Sequence, residues 1–333
     1  MRVLVTGGAG FVGGAVARAL RARGHQVRSF SRGPHPELAA AGIEAFAGDL
    51  GDFDAVRAAC RGHEAVVHCA AKVGIWGAFE DFYRVNVAGT ANVVKACQDL
   101  SIPRLVFTSS PSVVFTGQDV EGWDESARYP VTFDSDYSRT KAMAEETVLA
   151  SNTASLATVA LRPHLVWGPG EDVLVRRIVE RARAGSLRRI GTLNKRVDTT
   201  YIDDAAEAHV LALERLAPGG PPAGKAYFIS QGDPRPVWDI VNGILRAAGL
   251  PPVQRSIPPV AAWAAAWALE TFHGACGRGE EPRLTRFLVR QLSTAHWFDI
   301  SAARRDLGYE PRVTIEAGLE RLRDWFAQRP AEG

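Results

Sequence analysis

A glycine-rich run between a β-rich segment and a helical one, VLVTGGAGFVGGAVARAL from Val3 to Leu20, constrains this chain more than any other feature. Two frames fit it, Gly8-Gly10-Gly13 as G-x-G-x-x-G and Gly7-Gly10-Gly13 as G-x-x-G-x-x-G. Both predict the same physics. Glycines let the strand turn sharply, let backbone N–H groups approach a pyrophosphate, and let the helix pack so that its positive N-terminus faces the anion. Such a motif is weak alone. Straight after a first strand and at the opening of a helix, with Phe11 and Val12 in its first turn, it predicts dinucleotide binding.

The rest of the first half agrees. Short β-rich runs (RVLVT, QVRSF, IEAFAG, EAVVHCA, RLVFTS, ATVALRP) alternate with helical patterns at Phe11–Arg23, Phe53–Cys60, Phe79–Leu100 and the segment from Tyr137. Alternation of this kind implies right-handed β-α-β crossovers and a parallel sheet covered on both faces, an α/β, Rossmann-type doubly wound fold. After Pro169 the pattern turns irregular and mostly helical, although RVDTTYI and KAYFIS still read as strands. The expected organisation is a nucleotide-binding domain over 1–167, with returning segments around 197–248. A smaller helical substrate domain takes 168–196 and 249–330.

Composition excludes several functions. A net charge of +2 with both signs interspersed does not suit a nucleic-acid binder. The apolar run Val260–Leu269 is half the length a membrane span needs. With the first strand starting at Arg2 there is no signal-peptide pattern, and a cytoplasmic protein is expected. Cysteines 60, 69, 97 and 276 have no C-x-x-C spacing. Cys60, His63, His68 and Cys69 cluster in sequence, but EAVVHCAA reads as a buried strand whose neighbouring side chains face opposite ways, and no metal is expected.

An acidic residue at the end of the second strand would hold the ribose 2′-hydroxyl of NAD. Here Ser31 takes that place and Arg32 follows it. The repelling carboxylate is missing and a guanidinium is present, which favours NADP(H) over NAD. A solvent-facing arginine at a strand end would look the same. Asp49 and Leu50, after the third strand, are placed to cap the adenine; Ala70, Ala71 and Lys72 end the fourth beside the middle of the cofactor.

The stretch YSRTK puts Tyr137 and Lys141 four residues apart. On a helix they share one face, about 5–6 Å apart at Cβ. DSD at 134–136 supplies N-cap candidates and AMAEETVLA continues the helix. An ammonium beside a phenol favours phenolate, so Tyr137 is expected below its ordinary value of about 10 and able to exchange a proton with a carbonyl or alcohol. Taken alone, the spacing also fits a surface tyrosine and lysine.

With TGGAGFVG, GDL, NVAGT, TSS, YSRTK and LRPHLVWGPG in this order, the chain resembles the extended short-chain dehydrogenase/reductases from Met1 to about Ala327. Within them it looks like the 3β-hydroxysteroid dehydrogenase-like branch. It is most similar there to the 2-alkyl-3-oxoalkanoate reductases of bacterial long-chain olefin biosynthesis, through SLATVALRPHLVWGPG, KRVDTTYID, GKAYFIS and LTRFLVRQLSTAHW.

The resemblance implies that Tyr137 donates the proton, that Lys141 lowers its pKa and reaches the nicotinamide ribose, and that Ser110 hydrogen-bonds the substrate carbonyl. Ser109 is the lesser claimant, since its side chain faces the other way on the strand. Asn86 would be a support residue of the catalytic set, and Pro163 and His164 would lie near the nicotinamide. For substrate, Trp167, Tyr201, Trp263, Trp267 and Phe272 are expected to line an apolar slot, although each also fits plain core. Lys72, Lys195 and Arg196 are the cations considered for a carboxylate. The implied activity is NADPH-dependent reduction of an apolar-chain keto acid. The implied assembly is a homodimer through the Phe79–Leu100 and Tyr137–Ala150 helices, docking with other enzymes of the olefin route. A steroid dehydrogenase, a nucleotide-sugar epimerase and a non-catalytic NADP(H) sensor are the alternatives.

Overall fold

The computed structural model describes residues 1–191, 195–276 and 280–328; 329 and 330, the end of the expected substrate domain, lie outside them. The alternating pattern becomes a seven-stranded, all-parallel sheet. Its first strands are β1 (Arg2–Thr6), β2 (Gln26–Ser31), β3 (Glu44–Ala47), β4 (Ala65–His68) and β5 (Arg104–Thr108). The spatial order is Lys225–Ile229, Ala157–Pro163, β5, β4, β1, β2, β3. KAYFIS thus returns to the sheet as its edge strand, pairing Lys225 with Val159 and Ile229 with Pro163.

Side chains alternate across the sheet and feed two cores. Val3, Val5, Val67, Val106 and Val159 face one set of helices, while Leu4, Val66, Leu105, Phe107 and Ala160 face the other. The chain runs outward in one direction from β1 and in the other from β4. These two strands are neighbours, with Thr6 opposite His68 at their carboxyl ends. A crevice opens at such a reversal of strand order, and ligands bind there in open α/β sheets.

The helix expected over Phe79–Leu100 is not uniform. Phe79–Phe82 and Gly89–Asp99 are α-helical, and Tyr83–Ala88 between them forms a π turn. A Cβ on Gly89 would come within 2.8 Å of Leu50 Cβ, so that helix is pressed against the loop after β3. The wider turn buries Asn86, whose carbonyl accepts a hydrogen bond of 2.6 Å from Thr90 Oγ1. Single π turns inside helices often accompany functional sites.

The irregular half forms a second layer. Arg235–Pro236, Arg196–Val197, His296–Phe298 and Val120–Trp123 make a four-stranded sheet, so a segment lying between β5 and the Tyr137 helix joins the C-terminal region. Two short parallel pairs complete it, Val166–Trp167 with Thr200–Tyr201 and Arg189–Ile190 with Ser256–Ile257. Among the described residues no helix is long and apolar enough to cross a membrane, and no group of three or more His, Cys, Asp or Glu is placed to hold a metal.

Candidate active site

The glycine turn resolves the choice of frame. Gly7 has a left-handed backbone, φ +68°, and donates its N–H to Phe30 O at 2.8 Å. A Cβ there would meet the Ala70 backbone at 2.8 Å, and one on Gly13 would lie 2.2 Å from Gly7 O. Gly8 instead packs against Ser29 of β2. Gly7, Gly10 and Gly13, with Phe11 and Val12, wall a cavity of about 1090 Å³; G-x-x-G-x-x-G is the frame in use. Its floor is bare backbone at the N-terminus of the Phe11–Ala22 helix, which suits a pyrophosphate. The residues present therefore fit a nicotinamide dinucleotide.

Ser31 and Arg32, at the end of β2, line this cavity. Ser31 Oγ accepts from Ala9 N–H at 3.2 Å, pinning the glycine turn to β2, and the exposed Arg32 side chain borders the opening. His35, which sequence reasoning passed over, joins them, its Nε2 3.0 Å from Arg32 O. Asp49 and Leu50 continue the wall. The Asp49 carboxylate accepts from Gly51 N–H at 2.7 Å and faces Arg84, another overlooked lining residue, at 3.5 Å. Ala70, Ala71 and Lys72 form the middle.

Ser110, Tyr137, Lys141 and Pro163 gather at the opposite end. Of the DSD residues, Ser135 is the N-cap of the helix Asp136–Ala150, its Oγ accepting from Ser138 N–H at 3.2 Å. Tyr137 lies in the first turn and Lys141 in the next. Lys141 is 2% exposed; its Nζ donates to Thr108 O at 2.6 Å and lies 4.0 Å above the Phe107 ring. Burial brings its pKa down to about 7, against the opposing pull of Glu145 and Cys69. Tyr137 departs from expectation. Its phenol is raised above the ordinary value by burial, countered by a hydrogen bond with Ser110, and the lysine does not offset this. The physical reason is that the Lys141 ammonium is drawn to the β5 carbonyl and is itself desolvated.

Ser110 begins a short 3₁₀ turn, Pro111–Val114. Its Oγ accepts from Ser112 N–H at 3.2 Å and Ser112 Oγ–H at 3.0 Å, leaving its own proton to donate toward Tyr137 or a substrate oxygen. Ser109 also touches the cavity but turns toward Glu145.

Asn86, expected as a support residue of the catalytic set, is buried and does not line the cavity. Its Oδ1 accepts from Lys72 N–H at 2.8 Å, and its Nδ2 donates to Lys72 O and Thr140 Oγ1, both at 3.1 Å. It thereby ties the loop after β4 to the Asp136–Ala150 helix. Below it, His68 bridges Thr6 and Thr90 at 2.6 and 2.9 Å; burial lowers its pKa to about 3, so it is neutral.

Several expected site residues lie elsewhere. The His164 side chain turns into the protein, its Nε2 2.8 Å from His296 Nδ1 and its ring edge-on to Phe298; Leu165 and Val166 take its place in the wall. Trp167 and Tyr201 are core, 1% and 2% exposed and packed edge to face, with Trp167 Nε1 donating to Thr199 Oγ1. Trp263 and Trp267 point outward from the helix Pro259–Ala275, because Ala262 and Ala266 form its buried stripe and the next position lies about 100° around the helix. Phe272, half exposed on that helix, contacts His273. Lys195 pairs with Asp119, and Arg196 sits on the small sheet away from the cavity. Of the three cations considered for a carboxylate, only Lys72 lines it.

Unanticipated lining residues are Leu165, Val166 and Glu171–Leu174. Glu171 accepts from the N–H groups of Val173 and Val175 at 2.8 and 2.6 Å, an acid at a helix start that GPGEDVLV displays.

The chain is similar to several known proteins. A 2-alkyl-3-oxoalkanoate reductase of Stenotrophomonas maltophilia is 50% identical over 97% of this chain and 98% of its own length. A protein of the same name from Shewanella oneidensis is 45% identical over 96% and 84%. A 3-beta-hydroxysteroid dehydrogenase of Mycolicibacterium neoaurum is 36% identical over 96% and 89%. Among solved structures, gox2253 superposes with a TM-score of 0.77 at 28% identity, covering 98% of both chains. The Thermus thermophilus UDP-glucose 4-epimerase in complex with NAD gives 0.74 at 26% identity, over 98% of this chain and 99% of that one. The family model for the 3-beta hydroxysteroid dehydrogenase/isomerase family matches residues 4–259. With relatives running nearly its whole length and its tyrosine, lysine and serine lining the same cavity as its glycine turn, the chain belongs to that family of oxidoreductases.

Proposed function

We propose that this protein reduces a 2-alkyl-3-oxoalkanoic acid to the 2-alkyl-3-hydroxyalkanoic acid with NADPH, as a step in long-chain olefin formation. The observation that carries this is the meeting of Ser110, Tyr137 and Lys141 at one end of a cavity whose other end presents Arg32 and no β2 carboxylate. The substrate class is supported by two relatives at 50% and 45% identity that bear the reductase name, against 36% for the steroid dehydrogenase.

NADPH, when bound, supplies the hydride. The glycine turn would let its pyrophosphate approach the start of the Phe11–Ala22 helix, where the N–H groups of Phe11, Val12 and Gly13 would receive it, and Arg32 would pair with its 2′-phosphate. At the ketone, Tyr137 gives its phenolic proton to the carbonyl oxygen, and the Ser110 hydroxyl donates to the same oxygen as negative charge develops there. Because burial keeps Tyr137 protonated at neutral pH, it is poised as an acid. Lys141, while protonated, stabilises the phenolate left behind. Lys72, which lines the cavity with its Nζ 3.2 Å from Asp81, is the cation assigned to the substrate carboxylate. A cytoplasmic homodimer built on the Phe79–Asp99 and Asp136–Ala150 helices, docked with other enzymes of the same route, belongs to this proposal on the strength of the family resemblance.

The test follows nicotinamide absorbance with a 2-alkyl-3-hydroxyalkanoic acid, comparing NADP+ with NAD+ and adding a 3β-hydroxysteroid as competing substrate. Turnover of the hydroxy acid with a preference for NADP+ is expected. Turnover of the steroid alone, or a preference for NAD+, would overturn the substrate or cofactor assignment respectively.

A further inference from the structure

One buried charge cluster has no part in the mechanism above. Glu145 follows Lys141 by one helical turn and is 0% exposed. Two groups outside its helix grip its carboxylate. Arg162, on the strand Ala157–Pro163, donates from Nε at 3.0 Å to Oε2 and from Nη2 to Oε1, and Tyr129 OH donates at 2.6 Å to Oε1. Arg162 is itself 3% exposed, sandwiched near the Phe228 and Tyr129 rings. A carboxylate buried this deeply is costly, and its replacement by an apolar pair is often neutral or stabilising. Stability alone is thus a weak reason for it.

We propose that Glu145 is a positioning residue for the reaction: clamped by Arg162 and Tyr129, it places a fixed negative charge one turn beyond Lys141 and keeps that lysine an ammonium inside the protein. This inference rests on Tyr137 and Lys141 being the catalytic pair.

The surroundings of Lys141 make the charge necessary. From β4 it faces His68, neutral through burial, and the Cys69 thiol, whose pKa burial pushes up to about 11. From β5 it meets a carbonyl and an aromatic face, Thr108 O and Phe107. On its own helix its neighbours one turn away are Tyr137, raised by burial, and Glu145. None of these but Glu145 is an anion at neutral pH. Glu145 in turn stays ionised. Burial pushes its carboxyl up, but the Arg162 guanidinium, helped by the Tyr129 hydroxyl, outweighs that and holds it low. The division of labour follows from position: Arg162 and Tyr129 engage the carboxylate oxygens, and the remaining field reaches Lys141 through low-dielectric core.

The experiment is an NMR titration of the full-length protein carrying 13Cε-lysine, with the Lys141 resonance assigned by its loss in Lys141→Met. In Glu145→Gln the Lys141 midpoint is expected to fall by about one pH unit or more, the scale of a partly screened charge pair one helical turn apart. Tyr129→Phe, which keeps the charge and removes one clamp, leaves the midpoint in place. If Glu145→Gln does not fold because Arg162 is left uncompensated, Glu145→Gln combined with Arg162→Met removes the whole pair and shifts the midpoint in the same direction. A Lys141 midpoint unchanged from wild type in the folded variant overturns the proposal and leaves Glu145 a purely architectural residue. The alkaline limb of NADPH-dependent turnover should move with the midpoint. Should the wild type fail to turn over the keto acid while the NMR shift is present, the assigned substrate falls and the role of Glu145 stands.

Discussion

The two ends of the cavity are built from different materials. At the pyrophosphate end the wall is backbone: Gly7, Gly10 and Gly13 approach so closely that a single added carbon at position 13 would lie 2.2 Å from a carbonyl oxygen. At the end proposed for the substrate the wall is of side chains, from Leu165, Val166 and Glu171–Leu174, the last stretch held in shape by the Glu171 carboxylate accepting from the Val173 and Val175 N–H groups. Backbone geometry tolerates almost no substitution, so that end fails abruptly. Side-chain walls change by degrees, which lets one scaffold accept different substrates.

The largest expected effect spans both ends. His209 bonds Thr108 at the end of β5 and His68 packs on Phe107 of the same strand, while His164 and His296 join the strand end to the second layer. Burial holds all four below the ordinary value of 6.5, to about 3 for His68, about 4 for His209 and His296, and well down for His164. Between pH 6.5 and 4 the unfolded chain binds protons that the folded chain refuses. Stability is therefore complete above about pH 6.5 and is lost as pH falls, by up to about 1.4 kcal/mol per histidine per pH unit. Thermal melting between pH 7.5 and 5 should show a steep loss; a flat Tm would mean that these histidines are not held neutral.

Next comes a pair of substitutions that separates the ends. Trp167→Ala should cost about 3–5 kcal/mol of stability in denaturant titration while the folded fraction keeps its affinity for NADPH, since Trp167 is core. Gly13→Ala should cost about 3 kcal/mol and abolish NADPH binding as read by fluorescence. If Trp167→Ala instead weakened substrate binding alone, the separation drawn here would break.

Arg32→Ala is expected to raise the KM for NADPH by about 10- to 100-fold, the loss of a charge-assisted contact of about 1.5–3 kcal/mol, and to leave NADH unaffected. Equal losses with both cofactors would place Arg32 outside the 2′-phosphate site. The smallest effect belongs to Trp267→Ala. Half exposed and turned outward, Trp267 should change stability by no more than about 0.5 kcal/mol and leave KM for the keto acid unchanged.

The same contrast explains what the sequence made legible. Strand alternation, the glycine run and the Tyr137–Lys141 spacing are local patterns with fixed geometric meaning, and the parallel sheet and the chemical end of the cavity follow from them. The π turn at Asn86 was hidden, because it depends on Gly89 pressing against Leu50, a contact between distant segments. His164 was misplaced for a similar reason: its partner His296 is 132 residues away. Aromatic residues were the poorest guide. Trp167, Tyr201, Trp263 and Trp267 share a composition but end up as core or surface according to packing partners that no local pattern announces. The sign of the Tyr137 shift was also beyond the spacing, since desolvation of both members of the pair depends on the completed fold.

The central claim is that Tyr137, at the end of the cavity away from Arg32, is the proton donor. The direct measurement is Tyr137→Phe, with NADPH affinity from fluorescence and hydride transfer from nicotinamide absorbance on the same preparation. Unchanged affinity with turnover reduced by about 10²- to 10⁴-fold is predicted. Turnover retained at the wild-type rate would contradict it and move the acid to another group.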